Sequence, residues 1–131
     1  MRVLVIGGTG HIGSYLVPRL VLAGHVVTVV ARNPKPQYGD LRLGWGQVEW
    51  IVADRRAEEE SGTWVSRMAT VEVDAVIDLI AFTPDQNRLM VEAFAGRIGH
   101  FLHCGTIWAY GPTERAPYEE QFPRRPTTQY G

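Results

Sequence analysis

The chain has 131 residues, 45% of them apolar, and a formal net charge of −1. That is enough for one domain with a core, and the charge leaves no electrostatic case for nucleic acid or an anionic membrane surface. A single cysteine, Cys104, excludes an internal disulfide framework and a cysteine zinc cluster, and the four histidines show no metal-ligand spacing, so no metal is expected.

Arg2 to Ile6 is a short run of β-branched residues and Leu, the type expected of a strand buried on both faces. It ends in glycines and is too short for a signal peptide. No run of about 18 apolar residues exists to span a membrane. The expected location is the cytoplasm. Ile12 to Ala23 reads as a helix, with Ile12, Leu16, Leu20 and Ala23 at helical spacing, Pro18 inside it and Gly24 as its stop. His25 to Ala31, "HVVTVVA", is a second buried strand. From Arg32 to Gln47 two prolines, three glycines and a solitary Trp45 predict a surface excursion. Val48 to Ala53 is a third strand. Residues 57 to 70 predict one helix, weakened by Gly62, with Trp64, Val65 and Met68 as its core stripe. Asp74 to Ala81 is a fourth strand. Thr83-Pro84-Asp85 then opens a helix with a capping hydroxyl, a proline at the first helical position and an acid in the first turn. His100 to Gly105 is the fifth strand, and the proline- and charge-rich text after Gly111 reads as loop.

Strands that alternate with helices imply an α/β fold with a Rossmann-like, doubly wound parallel sheet. Right-handed crossovers give its five strands the order 3-2-1-4-5.

The glycines of "GGTGHIG" occupy the turn between the first strand and the first helix. Their spacing is G-x-x-G-x-x-G. In that setting Gly7 permits a tight turn, Gly10 lets the backbone approach a pyrophosphate, and Gly13 lets helix and strand pack closely. The helix start, at His11 and Ile12, offers unpaired amides and a positive dipole end. A dinucleotide is therefore expected at this turn. The second strand ends Ala31-Arg32-Asn33. No acid stands there for the ribose hydroxyls and an arginine does, which favours NADP over NAD. Thr9 in the turn adds a hydroxyl. The competing reading of Arg32 is a solvated surface arginine.

"GGTGHIG", "ADRR" after the third strand, "GTIWAYG" after the fifth and "QYG" at the end resemble the extended short-chain dehydrogenases/reductases, the NAD(P)-dependent epimerase/dehydratase family. The resemblance covers the whole chain but only the first part of such a protein. Residues 1–131 would be the NAD(P)-binding domain, cut before a substrate domain. It implies that Asp54 binds the adenine amino group, with Arg55 contributing backbone. It places Ile80 and Ala81 at the cofactor wall, with Phe82 bulkier than usual there, and a bulky Trp108 at a position that is usually small or branched. It implies a catalytic hydroxyl at Thr106 and a catalytic tyrosine at Tyr130, whose partner lysine would fall at position 134, beyond Gly131. A tyrosine with an ordinary pKa near 10 needs a neighbouring cation to serve as a base at neutral pH. The resemblance implies hydride transfer on a hydroxyl or carbonyl of a nucleotide sugar or similar small molecule, and a homodimer as one form open to the intact protein. The fragment alone is expected to be inactive. Alternatives are an NADP-dependent reductase of a small ketone, a non-catalytic redox sensor or RNA-binding relative, or a fragment that binds nothing.

Other residues take plainer readings. Asp74 is expected to be a solvated acid, Asp78 a hydrogen-bonded loop partner near the cofactor, and His103 a satisfied core histidine. Cys104 reads as a small buried hydrophobe and His11 as a ring that packs at the turn. Trp45, Trp50, Trp64 and Trp108 read as packing residues, and Glu58-Glu59-Glu60 as a solvated helix start.

Overall fold

The computed structural model describes residues 1–38, 44–112 and 117–127. Its centre is β1 (Arg2–Ile6), whose Leu4, Val5 and Ile6 are wholly inaccessible to water. Successive side chains of a strand point to opposite faces. Leu4 and Ile6 accordingly join one apolar cluster, while Val3 and Val5 join another on the opposite face. Each such burial contributes roughly 1.5–3 kcal/mol.

β1 lies between β2 (Val26–Ala31) and β4 (Ala75–Asp78). β3 (Glu49–Val52) and β5 (His100–His103) form the edges, and all pairings are parallel. The order β3-β2-β1-β4-β5 is the one expected from the alternation of elements.

One face is covered by α1 (His11–Leu22), which continues through Pro18 and buries Val17 and Val21. It ends in a Schellman motif: Gly24 adopts a left-handed φ of 84°, and His25 N–H reaches back to Leu20 O at 3.1 Å. Part of the stretch expected to be a surface excursion completes this face. Trp45, in a 3₁₀ turn (Trp45–Gln47), is buried and stacks on Trp50 with ring centroids 5.7 Å apart. This bears out the reading of Trp45 as a packing residue, although the stretch around it reads as a surface excursion.

The other face carries α2 (Arg55–Glu60), α3 (Trp64–Ala69) and α4 (Pro84–Phe94). The single helix expected over 57–70 is thus two. Gly62, at φ 73°, ends α2 in a second Schellman motif, with Thr63 N–H on Glu58 O at 2.9 Å. Trp64 and Met68 of α3 pack with Met90 and Phe94 of α4 over Leu4, Ile6 and Val76. The indole N–H of Trp64 donates to Met90 Sδ at 3.1 Å. α4 starts with a full capping box: Gln86 N–H donates to the Thr83 hydroxyl, and the Gln86 side chain accepts from Thr83 N–H. Among the described residues no helix is long and apolar enough to cross a membrane.

The acidic run is not solvated as expected. Glu58 pairs with Arg67, Glu59 with Arg55 and Glu60 with Arg56, and only Glu60 of the three is fully exposed. Asp74 is likewise engaged. Arg2 N–H donates to its carboxylate at 2.7 Å and the Arg2 guanidinium lies at 3.3 Å. These bonds, the amide first, hold its carboxyl below the ordinary 3.8 against the opposing effect of partial burial. A depressed folded-state pKa contributes stability above the ordinary value that is lost as pH falls through the folded one. The stability gap between the wild type and Asp74→Asn is therefore expected to be widest near neutral pH and to close as pH falls through and below the ordinary carboxylate range. Melting temperatures of the two proteins across that range check this.

Candidate functional site

The strand order reverses between β1 and β4, and at such a switch point the connections leave the carboxyl edge of the sheet in opposite directions and open a crevice. Here the ladder runs one residue past the ends of β1, β3, β4 and β5. Gly7 N–H donates to Val30 O at 2.9 Å, Ala53 N–H to Ala31 O at 3.1 Å, Leu79 N–H to Ile6 O at 3.1 Å, and Cys104 N–H to Asp78 O at 2.9 Å. Four connections that carry predicted site residues are thereby held on one edge.

The β1–α1 turn and the first turn of α1 hold four glycines with different reasons to be there. Gly7 has a left-handed φ of 80°, and a Cβ on it would lie 2.6 Å from Ile80 Cγ2. A Cβ on Gly13 would lie 2.1 Å from Gly8 O, so only glycine lets α1 come this close to the turn. Gly8, which sequence reasoning passed over, has no room for a side chain either: a Cβ on it would lie 2.9 Å from Val29 Cγ1 and 3.2 Å from Val17 Cγ2. Gly10 differs. Its φ is an ordinary −75°, and among the described residues a Cβ there would meet nothing nearer than Gly7 O at 3.5 Å. The protein's own packing accounts for three of these glycines and not for Gly10.

Gly10 is also the N-cap of α1, and no side chain caps that end. Intrahelical bonding starts with Ser14 N–H on Gly10 O at 2.8 Å. The amides of His11, Ile12 and Gly13 have no carbonyl behind them in the helix. No acid stands in the first turn. Three N–H groups and the positive end of the helix dipole form a donor set suited to a phosphate.

The segment after β2 folds back over this turn. Gln37 N–H donates to Thr9 O at 2.9 Å, and Tyr38 N–H to the buried Ser14 hydroxyl at 3.2 Å. The His11 ring, exposed, stands edge-on to Tyr38 at 5.2 Å and to Tyr15 at 6.0 Å. Thr9 thus enters through its carbonyl, which also accepts from Ser14 Oγ at 3.3 Å. Ser14 and Tyr38 carried no sequence signal, because a polar residue inside a helix and an aromatic in a loop are both unremarkable until the two segments meet.

At the ends of β2 and β3, Arg32 and Asp54 face each other, with Nη1 4.0 Å from Oδ2, and both side chains are open to water. Asp54 Oδ1 caps α2 by accepting from Arg56 N–H at 3.0 Å and Ala57 N–H at 3.3 Å. Its other oxygen, Oδ2, is turned outward toward Arg32.

Arg55, expected to contribute backbone, turns its side chain inward. Its guanidinium grips the Asp78 carboxylate, Nη1 lying 3.0 and 2.9 Å from the two oxygens. Asp78 is wholly buried. It also accepts from Ile80 N–H at 3.0 Å, a hydrogen-bonded loop partner of the kind expected. The arginine partner was missed, although an acid inside "AVIDLI" signals that a cation must meet it. Ile80 lies against Gly7, and Ala81 is buried.

After β5, Thr106 is half-buried and caps a 3₁₀ turn (Ile107–Tyr110), its hydroxyl accepting from Trp108 N–H at 3.3 Å. Three expectations fail on this side. His103 is exposed and not in the core, Cys104 is half-buried, and Trp108 is 62% exposed and not a packing residue. β5 is an edge strand, so its outer side has no neighbour among the described residues. Tyr130 lies outside the described residues.

The NAD dependent epimerase/dehydratase family model matches residues 3–131. A 2'-dehydrokanamycin reductase of Streptomyces kanamyceticus is 29% identical over 131 residues, all of this chain and 35% of the relative. A UDP-glucose-4-epimerase from Stenotrophomonas maltophila, solved with bound NAD and formylated UDP-arabinopyranose, superposes with a TM-score of 0.74 at 21% identity, over 99% of this chain and 44% of the other. The Bordetella bronchiseptica enzyme WbmG, in complex with NAD, gives a TM-score of 0.71 at 20% identity, over 100% of this chain and 46% of the other. These likenesses show the fold. The chain spans about a third of the curated relative and under half of these two structures.

The contrast between Gly10 and Gly13 is measurable. Gly10→Ala is expected to change stability by less than about 1 kcal/mol. Gly13→Ala, whose methyl meets backbone, is expected to lose about 2–3 kcal/mol or more. Urea unfolding of both variants checks this, and equal losses would remove the distinction.

Proposed function

The chain belongs to the NAD dependent epimerase/dehydratase family, and on that premise we propose that it forms the dinucleotide-binding part of an oxidoreductase that prefers NADP and acts on a nucleotide sugar or similar small molecule. The observation that carries the dinucleotide reading is Gly10: among the described residues nothing occupies the space its missing side chain leaves, and it stands before three amides with no carbonyl partner in the helix. The diphosphate rests there, on His11, Ile12 and Gly13, with Gly7 and Thr9 shaping the turn. Asp54 takes the adenine amino group through its outward oxygen. Arg32, which follows Ala31 where an acid would serve the ribose hydroxyls, takes the extra phosphate and turns from Asp54 to do so. Ile80 and Ala81 line the wall beside the turn.

When bound, the nicotinamide supplies hydride transfer. Thr106 holds the substrate oxygen by a hydrogen bond, and Tyr130 carries the proton to or from it. The UDP-sugar complex of the structural relative supports the nucleotide-sugar reading. The reductase relative, matched over all of this chain, supports a second one, in which the whole protein reduces a ketone.

Calorimetric titration with NAD and NADP tests the cofactor assignment. Gly10→Val is expected to remain folded and bind neither; retained affinity for either counts against the diphosphate site. Arg32→Ala is expected to weaken NADP at least about tenfold, the size of one charge-assisted phosphate contact, and NAD hardly at all. Equal losses would remove the NADP preference.

A further inference from the structure

The Arg55–Asp78 pair lies beneath the proposed cofactor site. Both side chains are taken from water, Arg55 at 6% exposure and Asp78 at 0%. Desolvating two charges costs several kcal/mol each, and an apolar pair of similar volume often stabilises a protein as well or better. Stability is therefore a poor account of why charges are here. Geometry is a better one.

Asp78 Oδ1 is shared between Arg55 Nη1 and the amide of Ile80. Arg55 is in turn held by Glu59, with Nε on Oε1 at 2.6 Å, and its guanidinium lies over the Trp64 ring. Glu59 Oε2 accepts from Gln86 Nε2 at 2.7 Å, and Gln86 Oε1 accepts from the amides of Phe82 and Thr83 at 2.8 and 3.2 Å. The β4–α4 connection is thus gripped at Ile80, Phe82 and Thr83 by one polar network rooted in Arg55. Ile80 lies in turn against Gly7 of the glycine turn. Arg55 directly follows Asp54, which caps α2 and faces Arg32. A single buried pair therefore connects the end of β3, the end of β4 and the turn after β1. A carboxylate at position 78 balances the Arg55 charge while it accepts from the Ile80 amide, and the planar guanidinium reaches Asp78 and Glu59 in one fixed geometry.

The geometry points to Arg55 and Asp78 as positioning residues of the dinucleotide site: the pair sets the Ile80 connection against the glycine turn at a fixed distance from the Asp54 cap. This rests on the cofactor reading above, and neither side chain touches the ligand.

The test is to separate stability from binding with Asp78→Leu, Arg55→Met and the double variant. Three readouts are taken: melting temperature, calorimetric titration with NADP and NAD, and hydrogen exchange at the Ile80 amide. Each single change strands a buried charge or removes its partner and is expected to lower the melting temperature by about 10 °C or more. The double variant is expected to recover most of that loss. Its dinucleotide affinity is expected to stay at least about tenfold below wild type, with faster exchange at Ile80. A double variant with both melting temperature and affinity restored would make the pair purely structural and overturn the inference. Should the double variant not fold, Arg55→Lys keeps the charge and loses the fork. It is expected to bind about fivefold more weakly with faster Ile80 exchange; wild-type values for both would overturn the inference. A wild-type chain that binds neither dinucleotide would instead remove the cofactor reading, and this inference with it.

Discussion

At Gly13 the first turn of α1 lies so close to the β1–α1 turn that a methyl group would sit 2.1 Å from Gly8 O. That approach aims the helix. With α1 seated there, its unbonded amides stand at the carboxyl edge of the sheet, and Val17 and Val21 reach the face lined by Val3, Val5, Val27 and Val29. A larger residue at position 13 lifts the helix start and loosens both consequences together. Packing and the phosphate-suited donor set are in this sense one constraint: the same absent side chain serves each.

The two ends of the sheet handle charge differently. At the amino edge Arg2, Asp74 and Glu72 meet in water-exposed pairs, which contribute little to stability. At the carboxyl edge an arginine and an aspartate are buried together, and the connections around the proposed site hang from them. The second arrangement is costly to bury and specific in direction. It lies on the edge where the family's dinucleotide reading also falls, which is where orientation matters more than net stability.

Parts of the candidate site were legible because the signal was local. Gly7 and Gly13 announced a turn and a close approach, and the structure shows the backbone reason for each. Thr83, Pro84 and Gln86 lie within one helical turn, so the start of α4 could be read from neighbours. Other parts were not. Arg55 and Asp78 are 23 positions apart, and their pairing needs β3, β4 and α2 already in place. Ser14 and Tyr38 meet only because the segment after β2 returns over the glycine turn. Trp45 reads as a packing residue, but which face it covers is decided only by Trp50 and α1.

The sequence by itself determined the alternation of strand and helix, hence a parallel sheet, its handedness and its strand order. Buried strands and capped helices leave short-range patterns, and chirality does the rest. It also marked the glycine turn. Tertiary structure alone decided which charges are buried, which aromatic side chains reach the core and which are left open. His103 and Trp108 were expected inside and lie outside, the first on an edge strand and the second in a 3₁₀ turn beyond it that buries none of its residues. Glu58 and Glu59 were expected in water and are drawn in by arginines. Burial and pairing depend on what arrives from distant parts of the chain, and no local spacing encodes that.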